Sequence, residues 1–214
     1  MKPHRSRYWL NPNHDNEEEF VENTKDVGEI YLEAPKAALN GRRTVSTDEK
    51  TGIQAVERKY PTKSMEAGKP ERIEFEYIRH GTLSLIASFD VVTGRILSPG
   101  IGETRSEQDF CQHIRQVILS DPQAKEWVFV ADQLNIHKSE SLVRLIDELC
   151  GLEEELGVKG KSGILKSMGS GADFLKDRTH SIRFLYTPKH CSWLNQVEIW
   201  LGYTYQKAPE ERKF

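Results

Sequence analysis

The feature that most restricts the possible folds is a short apolar run that ends on an acid. Residues 127–131 read Trp-Val-Phe-Val-Ala, and Asp132 follows at once. A run this short, rich in β-branched and aromatic residues, predicts a strand buried on both faces of a sheet. In open α/β sheets, ligands bind outside the carboxyl ends of the strands, so Asp132 is a candidate site residue. The alternative at this stage is an Asp that caps the following turn.

The patterns on either side of this strand predict a mixed sheet. Before it come an amphipathic helix and three antiparallel strands, and after it helices alternate with strands, which indicates an α/β fold with a mixed sheet flanked by helices. This order, antiparallel hairpins and then βαβα, is similar to the plan of a ribonuclease-H-like domain, although it also fits other folds. The predicted elements are helices at residues 15–32, 106–120, 139–150 and from 192 onward, and extended stretches at 44–47, 73–78, 82–92, 95–97, 127–131 and 182–186.

Length and spacing suggest one main domain with additions. With 214 residues the chain can build one sizeable core. We expect residues 1–40 to form a helical lead-in and residues 41–202 to form the sheet domain. Residues 152–180 are rich in Gly, Lys and Ser and are predicted to be an insertion of moderate disorder. Residues 203–214 are an atypical tail without an apolar stripe.

Composition excludes several classes of protein. No apolar stretch approaches the ~18 residues that a membrane span needs, and the basic start has no apolar segment of a secretory signal behind it. Three widely spaced cysteines indicate neither a disulfide framework nor a zinc site. We therefore expect a cytoplasmic protein. A net charge of −3 argues against holding nucleic acid by bulk charge alone, and the clusters of basic residues are solvated surface unless a nucleic-acid site is established independently.

A second candidate acid lies in the last predicted helix. Apolar residues surround Glu198, and neither Arg nor Lys stands three or four positions away on either side. A buried helical Glu needs a base or a metal ion, so Glu198 is either a ligand or an acid at a half-solvated margin of the helix. Asn195 lies one turn earlier on the same face, where it could orient the Glu198 carboxylate. Asp48, directly after the first extended stretch, is a third candidate that is weak alone.

Four segments in order resemble one family. VSTDEKTGIQA, EYIRHGTLSLIASFDVVTG, VADQLNIHKSESL and YTPKHCSWLNQVEIW are similar to the motifs of DDE transposases of bacterial insertion sequences in the mariner-like superfamily. The resemblance implies a ribonuclease-H-like catalytic domain in which Asp48, Asp132 and Glu198 are catalytic and bind two Mg²⁺ or Mn²⁺ ions. It also implies DNA cleavage and strand transfer, with transposon ends and target DNA as partners. A homodimer in the active complex and association with the bacterial nucleoid follow from the same likeness.

Further residues are candidates for supporting roles. Asn135 and His137 could orient Asp132 or contact phosphate, although turn and helix-cap chemistry would explain them equally well. His80 and His190 could contact DNA or be structural. Glu49 should point away from Asp48 if the strand continues, so we exclude it from the site. The candidates for phosphate contacts are Lys50, Arg79 and Lys189.

The chain also departs from the family pattern. The 65 residues between Asp132 and Glu198 exceed the usual spacing, and the excess matches the predicted insertion. We expect no helix-turn-helix domain before the first helix, and the tail suggests a truncated product of a frameshifted gene. Three interpretations therefore stay open: an active strand-transferase domain, a silent remnant that at most binds DNA or oligomerises, and a structure-selective nuclease without transposition.

Overall fold

The computed structural model describes residues 17–189 and 191–207 and contains one five-stranded mixed sheet. The strand order is β3-β2-β1-β4-β5. β1 pairs antiparallel with β2 and β2 with β3, whereas β1 and β5 both run parallel to β4. The predicted mixed α/β sheet is therefore confirmed. The strands are β1 (Arg42–Arg58), β2 (Tyr77–Asp90), β3 (Arg95–Gly102), β4 (Glu126–Ala131) and β5 (Ile182–Tyr186).

Helices cover both faces of the sheet. The main core lies on the face where Phe129 and Phe184 stack at 5.0 Å, and it includes apolar side chains of α2, α3 and α4. A smaller cluster on the other face joins Val197 and Leu201 of α5 to Ala87. β4 is thus buried on both faces, as its apolar run predicts. The helices are α1 (Glu17–Ala38), α2 (Glu107–Leu119), α3 (Glu140–Cys150), α4 (Met168–Lys176) and α5 (Gln196–Lys207).

Local signals placed the helices around β4 correctly. Ser106 caps α2 and forms a capping box with Asp109. Ser139 caps α3 by accepting a hydrogen bond from the Leu142 N–H. Gly151 ends α3 with a φ of 62°, in the left-handed region that glycine tolerates best. These caps fix where the chain enters and leaves the helices that pack behind the site.

Two regions differ from the prediction. The segment predicted as a disordered insertion contains α4, and Leu156, Leu165 and Leu175 from it are buried in the main core. The prediction failed because the apolar residues of this segment are scattered and reach the core from a loop as well as from a helix. α1 also continues through Pro35 to Ala38, past the end predicted at residue 32, and Ala34 is buried. The cap predicted at residue 15 lies outside the described residues.

β1 is far longer than its apolar part. The strand continues past Asp48, and its second half pairs with β2 while residues 50–54 are exposed. β1 and β2 therefore form an arm that extends beyond the rest of the sheet, closed by the loop at residues 59–76. Across residues 17–189 and 191–207, no helix combines the length and the apolarity needed to cross a bilayer.

Candidate active site

Asp48 lies in the middle of the sheet with its carboxylate withdrawn from water. It is only 7% exposed, on the central strand β1. Burial raises the pKa of the Asp48 carboxyl to about 7, because removing a carboxylate from water disfavours its charged form. A hydrogen bond from the Glu49 N–H opposes this rise in pKa, and the negative charges of Asp132, Glu49 and Glu198 add to it. Three acids from separate elements thus act on one carboxyl group.

Asn195 connects Asp48 to the start of α5. Its side-chain amide donates to Oδ2 of Asp48 at 3.3 Å and to the carbonyl oxygen of Thr47 at 3.1 Å. The Ser46 hydroxyl donates to Oδ1 of Asn195 and accepts from the Val197 N–H at 2.9 Å. Asn195 is fully buried. We expected Asn195 to orient Glu198; in the structure its side chain binds Asp48 instead, because it precedes α5 and faces β1.

Asp132 lies at the carboxyl end of β4, beside Asp48. In the parallel β1–β4 ladder Ser46 pairs with Val130, so continuing the register by two residues sets Asp48 opposite Asp132. Neighbouring strands are separated by about 4.8 Å. Oδ1 of Asp132 accepts from the Leu134 N–H at 2.9 Å, so the residue does form the turn cap considered above. Asp132 also acts on Asp48 by its charge, as Glu198 does, and we call Asp48, Asp132 and Glu198 the acidic cluster.

His137 bridges Asp132 to Glu49. Its Nδ1 lies 2.8 Å from Oδ1 of Asp132, and its Nε2 lies 2.8 Å from Oε1 of Glu49. Burial alone would lower the pKa of His137, but the hydrogen bonds to Asp132 and Glu49 and the charges of both carboxylates raise it to about 9. Burial likewise opposes ionisation of Asp132, yet the bonds from His137 and the Leu134 N–H bring the pKa of Asp132 below its usual value.

Glu49, which we excluded from the site on the sequence, contacts the same histidine as Asp132. It does lie on the opposite face of β1 from Asp48, as strand alternation requires, but that face carries His137. Alternation along a strand shows which residues share a face and does not show what packs against the other face. The adjacency of two acids in Asp48-Glu49 was the only signal in the sequence that pointed to this residue.

Glu198 occupies the first turn of α5 and is exposed. The expected burial of Glu198 is therefore wrong, because α5 packs only through the side that carries Val197 and Leu201, whereas Trp193 and Ile199 face solvent. The charge of Glu198 still raises the pKa of Asp48, so the two residues lie within electrostatic reach of each other. An exposed acid at the rim of the cluster can reorient its side chain at little cost.

The residues present suit a hard divalent cation. Carboxylate oxygens are the ligands that Mg²⁺ and Mn²⁺ prefer. The pKa of Asp48 is raised by burial and by the charges of nearby acids, and a bound cation would offset both effects. Within the part of the chain that the structure describes, no three acidic, histidine or cysteine side chains already form a cluster able to hold a metal ion. Asp48 and Asp132 adjoin through the β1–β4 register, so Glu198 is the side chain that would complete the set.

Basic side chains border the acidic cluster. Lys138 is half-buried, with Nζ 4.7 Å from the centre of the Tyr186 ring, and it also contacts the side-chain oxygen of Gln133. Burial lowers the pKa of Lys138, and the nearby charges of Lys176 and Lys189 lower it further. The negative charge of Asp132 raises the pKa of Lys138 instead. Lys138 is thus near enough to Asp132, Lys176 and Lys189 to respond to their charges, so the three lysines lie around the end of β4 that carries Asp132. Sequence reasoning anticipated Lys189 and missed Lys138 and Lys176.

The remaining candidates are scattered. Asn135 is exposed in the 3₁₀ turn Asn135–Lys138, close to Asp132 in the chain, and Lys50 is exposed two residues beyond Asp48. Arg79 pairs with Val56 on the arm, eight residues along β1 from Asp48 and so roughly 26 Å away. His80 is on the same arm and forms an exposed hydrogen bond with Glu57 at 2.7 Å. The structure therefore does not bring Arg79 and His80 to the acids, and His190 lies outside the described residues.

A mixed sheet in this order, with Asp48 on its central strand, Asp132 directly after the neighbouring strand β4 and Glu198 on a following helix, has the arrangement of a ribonuclease-H-like domain. The family comparison is consistent with this class. The model of the DDE superfamily endonuclease family matches residues 43–214, and the chain belongs to that family.

Solved structures show the same fold. The catalytic domain of Mos1 mariner transposase is similar over 96% of this chain and 78% of that chain, with 13% sequence identity and a TM-score of 0.51. A structure of the Mos1 catalytic domain with Raltegravir and Mn covers 95% of this chain and 78% of that chain, with 15% identity and a TM-score of 0.50. No curated protein matches the sequence. The predicted fold is thus confirmed by the solved structures, and the DDE family is confirmed by the family model.

Proposed function

We propose that this chain is the catalytic domain of an insertion-sequence transposase that cleaves and joins DNA strands with two Mg²⁺ or Mn²⁺ ions. The observation that carries the proposal is the burial of Asp48 within the field of Asp132 and Glu198, three acids from β1, the end of β4 and α5. The DDE endonuclease family supports the reaction type. The Mos1 catalytic domain with Mn, which has the same fold, supports the choice of cation.

In this proposal each acid has a defined role. Asp48, between the other two, would contact both ions, and Asp132 and Glu198 would each complete one site. Two bound ions would activate the attacking water or 3′-hydroxyl and stabilise charge on the leaving oxygen. Asn195 holds Asp48 in one orientation through its 3.3 Å hydrogen bond. The DNA-bound state would place the polyanionic backbone at the edge of the sheet that carries these acids.

The lysines around the end of β4 suit DNA. Lys138, Lys176 and Lys189 concentrate positive charge beside the acids, although the whole chain carries a net charge of −3. Burial lowers the pKa of Lys138, and the charges of Lys176 and Lys189 lower it further; a phosphate between the three lysines would offset this repulsion. We infer that these three lysines contact the phosphate backbone next to the cleaved bond. A homodimer on two transposon ends and a location at the bacterial nucleoid would follow from this activity.

Nicking of a supercoiled plasmid tests the proposal. With Mn²⁺ or Mg²⁺ the wild-type chain should convert supercoiled plasmid to nicked circles, and chelation by EDTA should stop the reaction. Asp132→Asn should slow nicking by more than about 100-fold, beyond the effect typical of residues that only support metal ligands. Asp121→Asn is the matched control, because Asp121 pairs with Arg43 at 2.5 Å near the opposite end of the sheet. Equal nicking by wild type and Asp132→Asn would refute the proposed site.

The competing proposal is that the chain is catalytically inactive and at most binds DNA or oligomerises. It is favoured by the absence, within residues 17–189 and 191–207, of three side chains already converged for a metal ion. It predicts no nicking with either cation by wild type, Asp132→Asn or Asp121→Asn. A nuclease without transposition would nick the plasmid but would not join a 3′-hydroxyl end to it, which a labelled oligonucleotide in the same reaction distinguishes.

A further inference from the structure

We propose that Glu49 and His137 form a positioning pair that holds one oxygen of Asp132 and leaves the other for a divalent cation. The inference rests on the proposed function, since it assigns Asp132 as a metal ligand. Two consecutive residues of β1 would then serve both aspartates. Asp48 acts directly, and Glu49 acts on Asp132 through His137.

The first step is the geometry of the His137 ring. Both ring nitrogens face carboxylate oxygens at 2.8 Å, one from Asp132 and one from Glu49. Nδ1 also lies 3.3 Å from the main-chain carbonyl oxygen of Asp132. Carboxylate and carbonyl oxygens only accept, so the ring satisfies these contacts by donating from both nitrogens. The side chain of His137 is 0% exposed and that of Glu49 is 2% exposed, so water cannot replace the Glu49 carboxylate as the partner of Nε2. The ring is therefore oriented by the protein alone.

The second step is the immobility of His137. The Phe110 ring of α2 lies 4.4 Å from the His137 ring, centroid to centroid. The Tyr186 hydroxyl donates to the carbonyl oxygen of His137 at 2.7 Å, which ties the backbone to the end of β5. Glu49 fixes the far side of the ring from a central strand. Supporting hydrogen bonds of this kind orient metal ligands and are worth about 10–100-fold in metal affinity.

The third step is the asymmetry at Asp132. The ring nitrogen of His137 and the N–H of Leu134 both contact Oδ1. The two contacts saturate one oxygen and turn the carboxylate into a fixed orientation, with Oδ2 as the oxygen available to a ligand. Asp132 is 40% exposed in its side chain, so that oxygen is within reach of solvent. Without the ring, the carboxylate would retain only the Leu134 bond and could rotate.

The affinity for Mn²⁺ alone provides the test. Free Mn²⁺ is followed by its electron paramagnetic resonance signal, which is lost on binding, with wild type, Glu49→Gln, Glu49→Leu and the double variant Glu49→Leu/His137→Leu. Glu49→Gln keeps an acceptor for Nε2 and removes the charge. The double variant replaces the buried pair with apolar side chains, which tends to preserve folding. Thermal unfolding verifies that each variant is folded at the temperature of the titration.

The positioning pair predicts a specific order of affinities. Glu49→Leu should weaken Mn²⁺ binding by about 10–100-fold. Glu49→Gln should stay within about threefold of wild type, and the double variant should be no weaker than Glu49→Leu, because coupled residues are not additive. If Glu49→Leu binds Mn²⁺ as tightly as wild type, Glu49 does not position Asp132 and has only a structural role. Equal losses in Glu49→Gln and Glu49→Leu would overturn the pair too, since Glu49 would then act through charge alone.

The same titration separates this inference from the proposed function. If wild type binds Mn²⁺ and Asp48→Asn does not, the metal site stands, and the Glu49 variants decide the pair. If wild type binds no Mn²⁺, the proposed function fails and the pair fails with it. A further loss in the double variant beyond that of Glu49→Leu would also contradict the pair, because His137 would then act on Asp132 without Glu49.

Discussion

Replacing Asp48 by Asn should stabilise the metal-free protein above neutral pH. The pKa of Asp48 is raised to about 7 in the folded chain, mainly by burial. Between about pH 4 and pH 7 the folded state keeps a proton that the unfolded state releases, so stability falls as pH rises through this range. Above pH 7 Asp48 is ionised in the folded state as well, so the fold bears the full free-energy cost of burying this charge. Asn has no charge to bury and should not show this fall.

The size of the effect follows from the site. A rise of about three pKa units corresponds to at most about 4 kcal/mol, at ~1.4 kcal/mol per unit. The two oxygens of Asp48 accept one bond each, from the Glu49 N–H at 2.8 Å and from Asn195 at 3.3 Å. An amide has one acceptor, so Asn forfeits one of these bonds at a cost of about 1 kcal/mol. A net gain of about 2–3 kcal/mol at pH 8 remains, or a rise in Tm of about 5–10 °C.

Urea denaturation in EDTA at pH 5 and pH 8 measures this effect. Wild type should lose stability between the two pH values relative to Asp48→Asn. Asp90→Asn is the control, because Asp90 is also buried but accepts hydrogen bonds from Val92 and Thr93. Removing the charge of Asp90 should therefore not increase the stability of the folded protein. A difference between wild type and Asp48→Asn that is the same at pH 5 and pH 8 would refute the reasoning. Added Mg²⁺ should stabilise wild type at pH 8 and leave Asp48→Asn unchanged.

Three further predictions follow from the same structure. Burial opposes protonation of His137, but Asp132 and Glu49 raise its pKa to about 9. The ion pairs of His137 therefore stabilise the metal-free fold fully below about pH 6.5, and this stabilisation is lost as the pH rises through 9. Denaturation at pH 6 and pH 9.5 should show the loss in wild type and not in Glu49→Leu/His137→Leu. Lys138→Ala should weaken duplex DNA binding and reduce the slope of log affinity against log salt by about 0.9, measured by fluorescence anisotropy; an unchanged slope would exclude a phosphate contact. Ser106→Ala should lower the free energy of unfolding by about 1 kcal/mol through loss of the α2 cap, with the Mn²⁺ affinity unaffected.

The sequence predicted the parts of the fold that depend on neighbouring residues. The apolar run of β4 and the caps at Ser106 and Ser139 lie within a few positions of the elements they define. Turn and cap chemistry acts over the same short distance, so these signals can be interpreted without knowing the tertiary structure. The family motifs then indicated a ribonuclease-H-like domain, which local patterns alone leave undetermined.

The parts that failed depend on contacts between distant residues. Glu49 meets His137 across 88 positions, and Asn195 meets Asp48 across 147. Periodicity indicates the faces of a strand or helix but not their partners, which is why Glu49 was excluded and Asn195 was assigned to Glu198. The apolar residues around Glu198 suggested burial, yet α5 packs through one side only.

Cleavage of the polypeptide by bound Fe²⁺ tests most directly whether the three acids share one metal site. Fe²⁺ in place of Mg²⁺, with ascorbate and peroxide, releases hydroxyl radicals that cut the backbone next to the ion. If Asp48, Asp132 and Glu198 hold the same ions, the chain should be cut near all three positions, and excess Mg²⁺ or the Asp48→Asn substitution should suppress all three cuts together. Cuts near only one of these residues, or cuts that persist in Asp48→Asn, would contradict a shared site.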